Sequence, residues 1–232
     1  MYAQGYILHL TAARMYLDLL PSTDPLKYNP IFQNDFFAGN LLPDAVEQKK
    51  ESHFRDPSYR DYFIEWPHPE FFAHKYASLL NKPVCLGYYL HLYIDKIFFR
   101  DYLPQVAEYY DINNQLTELR KNVHHVLLKK SGKKIPLKSY LSEEYYYGDY
   151  TRMNTWLMER FRLPEKLDPV LNPGIEEVDF RNLDNIMKQL VSYQKMPSDA
   201  INDLKVFDIG HLTAFLQECC LTFPEILQHS HQ

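Results

Sequence analysis

Residues 87–101 form a stretch that is apolar on nearly every side, so as a helix it is predicted to be buried. It nevertheless carries His91 and Asp95, which are four residues apart and therefore lie on one face of a helix. A buried carboxylate costs free energy unless a partner compensates its charge. Two partners for the Asp95 carboxylate are possible. One is the His91 imidazole alone, in a hydrogen-bonded core pair, and the other is a divalent metal ion that both side chains bind.

The rest of the chain favours an all-α fold. Its 19 Tyr and 14 Phe against 7 Gly indicate long helices packed by aromatic rings rather than a turn-rich β fold. Strand-like alternation of useful length and internal repeats are both absent from the sequence. We predict one multi-helical domain over residues 1–232. An alternative prediction is that residues 140–232 form a helical subdomain within it. Apolar periodicity and proline or capping signals predict helices at residues 5–20, 30–40, 69–80, 84–103, 115–128, 149–162, 179–195 and 208–221.

Composition excludes several classes of partner. With 25 basic and 30 acidic residues the formal charge is −5, which is not the electrostatic footprint of a duplex nucleic-acid binder. The three cysteines, Cys85, Cys219 and Cys220, make no CxxC pair and no disulfide framework, so a metal site would use His and carboxylate ligands. The sequence has neither a secretory signal pattern nor an apolar run long enough to cross a bilayer. We therefore expect a cytoplasmic protein without a transmembrane segment.

Two further residues have ordinary explanations when taken alone. His9 lies in the apolar part of the first predicted helix, where a hydrogen-bonded core histidine is the commoner situation. Asp44 follows Pro43 near the start of a short element, where an acidic residue is favoured simply as a cap. Neither residue indicates a site without the others.

Their order along the chain is more specific. His9 is followed by Gly-Asn-Leu-Leu-Pro-Asp at residues 39–44, by Lys-Glu-Ser-His-Phe at 50–54 and by the helix with His91 and Asp95. This order resembles the zinc-dependent phospholipase C family, whose fold is also used by zinc-dependent single-strand nucleases. The resemblance covers roughly residues 1–103. It implies an all-helical metal-dependent hydrolase that acts on a phosphoester bond through a metal-activated water.

The resemblance also implies roles for individual residues. A first metal ion would be held by Asp44, His53, His91 and Asp95, and a second ion would share Asp95 and take His9. Asp44 would double as the catalytic general base. Zinc is the expected metal, with iron, manganese and nickel as alternatives for the same donors. Residues 96–101, Lys-Ile-Phe-Phe-Arg-Asp, offer no histidine where the family has a ligand for a third ion, so we expect one or two ions.

Two other segments are similar to bacterial members of that family, residues 72–76 and 148–154. They contribute His74, Lys75, Asp149 and Asn154 as candidates for binding substrate or for orienting a metal ligand. The expected substrate is a phosphorylated small molecule or a lipid headgroup. The alternatives are hydrolysis of a soluble phosphorylated compound such as a nucleotide, and a non-enzymatic helical protein that keeps one structural ion or none.

Overall fold

The computed structural model describes residues 5–46, 49–192 and 196–229. These ranges hold eleven α-helices, several short 3-10 turns and one small sheet. The helices are α1 (Tyr6–Leu19), α2 (Pro25–Tyr28), α3 (Pro30–Leu41), α4 (Lys49–Ser52), α5 (Pro69–Lys75), α6 (Pro83–Ile97), α7 (Leu103–Val106), α8 (Leu137–Tyr140), α9 (Tyr146–Phe161), α10 (Leu183–Ser192) and α11 (Ile209–His229). The strands are β1 (Ala107–Tyr110), β2 (His125–Leu128) and β3 (Lys133–Pro136), antiparallel in the order β1-β2-β3.

Proline sets the start of several helices, because its fixed φ suits the first helical position and its missing N–H is not needed there. Helices α2, α3, α5 and α6 all begin with proline. Asp24 and Asn29 cap α2 and α3 by accepting hydrogen bonds from Leu26 N and Ile31 N. The turns between these helices are thus encoded locally.

Helices α3 and α6 cross in close contact and touch through two glycines. A Cβ atom on Gly39 would lie 2.1 Å from the carbonyl oxygen of Val84, and one on Gly87 would lie 2.1 Å from that of Phe36. The two backbones are therefore in direct contact, which only residues without a side chain permit. This crossing brings the end of α3 against the middle of the central helix.

Helix α1 lies against this pair and links it to the rest of the molecule. It packs on α3 and α6 on one side and on α9 and α11 on the other, and α10 contacts α3. The segment from residue 140 onward thus shares one hydrophobic core with the first half of the chain. None of the described helices combines the length and apolar composition that crossing a bilayer requires.

Beyond Asp95 the central helix does not stay regular. After α6 the backbone makes a π-helical turn over Phe98–Tyr102 before α7 begins. Pro104 has no N–H to donate to the carbonyl of Arg100, so the α-helical hydrogen-bond ladder cannot continue through this point. The prediction of one helix over 84–103 is right in extent and misses this widened turn.

The helix predicted at residues 115–128 is wrong. Residues 120–122 form a 3-10 turn and 125–128 form β2, whose Val126 pairs with Tyr109 and Ile135. Val126 and Leu128 are buried while Leu127 is not, which is the alternation of a strand that is covered on one face. The residues that follow supply β3, Lys133–Pro136. The fold is therefore mostly helical with a small sheet rather than strictly all-α.

Other bounds differ less. The helix predicted at 208–221 extends to His229 with Pro224 inside it, and Asp208 caps it by accepting a hydrogen bond from the N–H of His211. The one predicted at 69–80 is α5 followed by a 3-10 turn at Ala77–Leu79. Residues 193–195 of the helix predicted at 179–195 lie outside the described residues.

Candidate metal centre

Three imidazoles and two carboxylates from four segments meet in the interior beside the α3–α6 crossing. His9 comes from α1, Asp44 from the 3-10 turn Leu42–Asp44, His53 from the residue after α4, and His91 and Asp95 from α6. The whole residues His91, His53, His9 and Asp44 are 0%, 1%, 5% and 7% exposed, and the Asp95 side chain is 14% exposed. The five residues whose order suggested a metal site are thus brought together.

The rings of His53 and His91 are oriented by hydrogen bonds on their outer nitrogens. Nδ1 of His91 lies 2.8 Å from the carbonyl oxygen of Asn40, which can only accept, so this nitrogen carries the hydrogen. Nδ1 of His53 lies 3.0 Å from the hydroxyl of Ser52, which donates its own proton to the carbonyl of Pro43 at 2.8 Å. Both neutral rings therefore present an Nε2 lone pair to the centre of the cluster.

These two Nε2 atoms are only 3.2 Å apart. Two lone pairs facing each other at this distance repel unless a cation lies between them. That cation is either a proton held on one ring or a metal ion bound by both. The orientations of the two rings therefore require a positive charge at the centre of the cluster.

The spacing of the ligand atoms matches one tetrahedral ion. Ligands at about 2.0–2.1 Å from zinc in tetrahedral geometry are separated from one another by about 3.3–3.4 Å. Nε2 of His53 lies 3.3 Å from Asp44 Oδ1 and 3.4 Å from Asp95 Oδ2, and Nε2 of His91 lies 3.7 Å from the same Asp95 oxygen. With the 3.2 Å between the two imidazoles, His53, His91 and Asp95 have the separations of one coordination shell, and Asp44 Oδ1 adjoins this shell through its 3.3 Å contact with His53.

His9 occupies the far side of Asp95. Its Nε2 is 3.3 Å from Asp95 Oδ1, the oxygen that does not face His53 and His91, and its ring stacks on His91 at 3.6 Å. Its Nδ1 is buried without a hydrogen-bond partner in the described part of the chain. His9 can therefore either ligate a second ion beside Asp95 or donate a hydrogen bond that orients this carboxylate. His9, Asp44 and His91 also have ligand atoms within 4.8 Å of one another.

The surrounding charges keep both carboxylates ionised. Burial alone would raise the pKa of Asp44, but Lys49 and then His53 and His91 outweigh it and hold this pKa well below its usual range. Burial acts on Asp95 in the same way, and His9, His53 and His91 lower its pKa despite it. Ionised carboxylates are the form that binds a cation.

The two central histidines have opposite pKa shifts. Burial, followed by the neighbouring His9, lowers the pKa of His91 to about 3. Burial would also lower the pKa of His53, but its hydrogen bonds and charge interactions with Asp44 and Asp95 prevail and raise it. When a proton is bound to this pair, it therefore resides on His53.

These shifts predict a pH dependence of stability in chelator-treated protein. Between the lowered pKa of His91 at about 3 and the ordinary histidine value of about 6.5, the unfolded chain binds a proton that the folded protein does not. The free energy of unfolding should therefore fall by roughly 1 to 2 kcal/mol as the pH drops from about 6.5 to about 5. His53 acts in the opposite sense, because its raised pKa lets the folded protein hold a proton that the unfolded chain begins to lose near pH 6.5, and this offsets a small part of the fall.

Urea unfolding at several pH values in this interval measures the effect. The variant His91→Asn should lose most of the slope, whereas His74→Asn, at an exposed position, should keep it. An unchanged slope in His91→Asn would show that His91 is not the group responsible.

The four further candidates lie elsewhere. His74 and Lys75 are exposed on α5, and the ammonium of Lys75 binds the carboxylates of Glu176 and Glu177 at 2.8 and 2.7 Å. Asn154 is buried in α9. The structure gives none of these three a contact with the five clustered residues within the described ranges.

Asp149 has a different task from the one expected. Its buried carboxylate accepts hydrogen bonds from the backbone N–H groups of Lys205, Val206 and Phe207 at 2.7–3.0 Å and pairs with Arg152 at 3.0 Å. Both oxygens are thereby used to anchor the segment that precedes α11. Asp149 therefore stabilises the fold rather than orienting His53 or His91.

Sequence reasoning missed two groups at the cluster. The first is Lys49, whose ammonium lies 2.6 Å from Asp44 Oδ1. In the sequence this contact is indicated only by the position of the lysine, four residues before His53. The carbonyl of Asn40 orients His91, and a backbone group leaves no trace in the residue type. Both lie beside residues that the motif had singled out.

The structure also has a cleft of about 800 Å³, which none of the five clustered residues lines. Two segments connect the cleft to the cluster. Phe99, which lines the cleft, follows Asp95 by four residues. Trp66, which also lines it, precedes Pro67, and Pro67 pairs with Arg55, two residues after His53. Charged side chains of both signs stand among its lining residues. Six of its fifteen lining residues are aromatic: Tyr59, Tyr62, Phe63, Trp66, Phe99 and Tyr109.

Comparison with protein-family models, curated proteins and solved structures finds no match for this chain.

Proposed function

We propose that this protein binds one or two divalent metal ions at His9, Asp44, His53, His91 and Asp95 and hydrolyses a phosphoester bond there. The observation that carries the proposal is the spacing of four ligand atoms, 3.2–3.7 Å along the measured edges, with both Nε2 lone pairs turned inward. The order of these residues, which resembles that of the zinc-dependent phospholipase C family, supports a phosphoester as the substrate. Zinc suits the donors best, and iron, manganese or nickel remain alternatives.

A bound divalent ion would supply Lewis acidity toward a phosphoryl oxygen and toward a coordinated water. The chain's own residues supply orientation. The Asn40 carbonyl and the Ser52 hydroxyl fix the rings of His91 and His53, and burial excludes bulk water from the charges. Asp95 has Oδ1 toward His9 and Oδ2 toward His91, so it can bind two neighbouring ions, or bind one ion and accept a hydrogen bond from His9.

Asp44 has a changed role in this proposal. We expected it to act as a general base, but its pKa lies well below the usual range, so it holds a proton only weakly. Its Oδ1 is the oxygen that faces His53, and its backbone carbonyl accepts a hydrogen bond from Tyr6 at 3.2 Å. Asp44 is therefore assigned as a ligand and hydrogen-bond acceptor.

The aromatic cleft is the proposed place for the organic part of the substrate. Aromatic rings bind planar or apolar groups by stacking and by burial, and a cleft of this size admits a small molecule. The proposed substrate class is a phosphorylated small molecule with an aromatic or apolar group. The buried free thiols of Cys85, Cys219 and Cys220 fit a reducing compartment, and we propose a cytoplasmic location.

A panel of phosphoesters tests this function. Protein loaded with zinc should hydrolyse at least one of p-nitrophenyl phosphate, bis(p-nitrophenyl) phosphate, a dinucleotide or phosphatidylcholine vesicles, and aryl esters should be cleaved faster than alkyl esters. A chelator should stop the reaction and added zinc should restore it, and Lys75→Met should behave as the parent does. Metal-loaded protein that cleaves nothing in the panel would contradict the proposal.

A structural ion is the second candidate, and one observation favours it. Four protein ligands saturate a tetrahedral ion, and closed, buried sites of this kind are typical of structural zinc. In that case a chelator should lower the thermal midpoint of unfolding, and the metal-loaded protein should show no hydrolysis.

A further inference from the structure

Lys49 makes the shortest charged contact at the cluster. Its Nζ lies 2.6 Å from Oδ1 of Asp44, a carboxylate whose side chain is 5% exposed, while the lysine itself is 30% exposed. The same oxygen is 3.3 Å from Nε2 of His53. Lys49 therefore binds the Asp44 oxygen that the proposed function gives to the metal.

Both cations cannot use this oxygen without strong repulsion. An ion bound to Oδ1 at about 2.1 Å would be at most about 4.7 Å from the ammonium, whatever the angle between them. Like charges this close in a buried setting repel each other strongly. One of them must move, and the lysine is the one that can, because its long side chain already reaches solvent.

We propose that Lys49 is a displaceable cation that competes with the metal ion for Asp44. The inference rests on the proposed function, since it concerns the same site. While its ammonium is on Asp44, Lys49 partly neutralises the carboxylates and stabilises the cluster. When the metal ion binds, the ammonium turns outward, so the site binds metal more weakly than its ligands alone would. The lysine thus makes metal uptake reversible.

Three variants test the competition. Lys49→Met keeps the length of the side chain and removes its charge, Lys49→Arg keeps the charge, and Lys50→Met removes the charge of the exposed neighbour. Zinc dissociation constants are measured against a chelator of known affinity. We expect zinc to bind about tenfold or more tightly to Lys49→Met, with Lys49→Arg and Lys50→Met close to the parent.

Thermal unfolding provides a second readout that a merely structural lysine would not reproduce. In excess chelator Lys49→Met should melt below the parent, because Asp44 has lost its partner. In saturating zinc it should melt at or above the parent. A variant that melts lower in both conditions, or that binds zinc no more tightly, would overturn the inference while leaving the metal site in place.

The proposed function fails in a different way. If the parent and all three variants are folded and none of them binds zinc, manganese, iron or nickel, there is no metal for Lys49 to displace. That outcome would overturn both proposals together.

Discussion

Replacing Asp95 with asparagine should remove the metal ions and with them the proposed activity. Asp95 is the residue that faces both groups of histidines, with Oδ1 toward His9 and Oδ2 toward His53 and His91. An amide has no charge to offer an ion, and its NH₂ group would point at one of these imidazoles. We expect metal affinity to fall by more than about 100-fold, and hydrolysis to fall with it.

Asp101→Asn is the matched control for this variant. It makes the same change one to two turns further along the same helical segment, where Asp101 is exposed and paired with Arg100 at 2.7 Å. It should bind metal and hydrolyse substrate as the parent does. Metal content and turnover measured side by side decide the question, and an Asp95→Asn protein that keeps both would show that Asp95 is not a ligand.

The second large effect concerns the α3–α6 crossing. Gly39→Ala and Gly87→Ala each place a methyl group 2.1 Å from a backbone carbonyl oxygen of the opposite helix, a distance that no rotamer change relieves. The helices must separate, so we expect each variant to lose about 3 kcal/mol or more of unfolding free energy. The same movement would draw the Asn40 carbonyl away from His91 and weaken metal binding.

Gly210→Ala is the control, since the added methyl group would have as its nearest neighbour a side-chain oxygen of Asp208 at 3.3 Å. It should change the unfolding free energy by less than about 1 kcal/mol, because alanine is also the better helix former. Urea unfolding measures all three variants. Losses of similar size in all of them would mean that the glycines are not required for the crossing.

The cluster was predictable because its residues carry the signal themselves. His91 and Asp95 are polar groups in an otherwise apolar helix, and burial demands a partner for them. His9, Asp44 and His53 could be added only through their order along the chain, since nothing local relates a histidine in one helix to an aspartate in another. The structure brings all five together, while the metal itself remains a prediction.

What the sequence did not reveal depends on contacts between distant segments. Asp149 was a candidate for binding substrate or for orienting a metal ligand, and its partners include backbone N–H groups more than fifty residues later. The short strand at His125–Leu128 carries a run of three apolar residues, which periodicity cannot separate from a helical turn. It becomes a strand because Ala107–Tyr110 and Lys133–Pro136 pair with it on both sides.

Elemental analysis of the purified protein beside a His91→Ala and Asp95→Ala double variant tests the central claim most directly. We expect about one or two equivalents of zinc or a related divalent metal in the parent and none in the folded double variant. No metal in either protein, with both well folded, would contradict it. His9, Asp44, His53, His91 and Asp95 would then be a buried hydrogen-bond network, and the protein a binding or structural module.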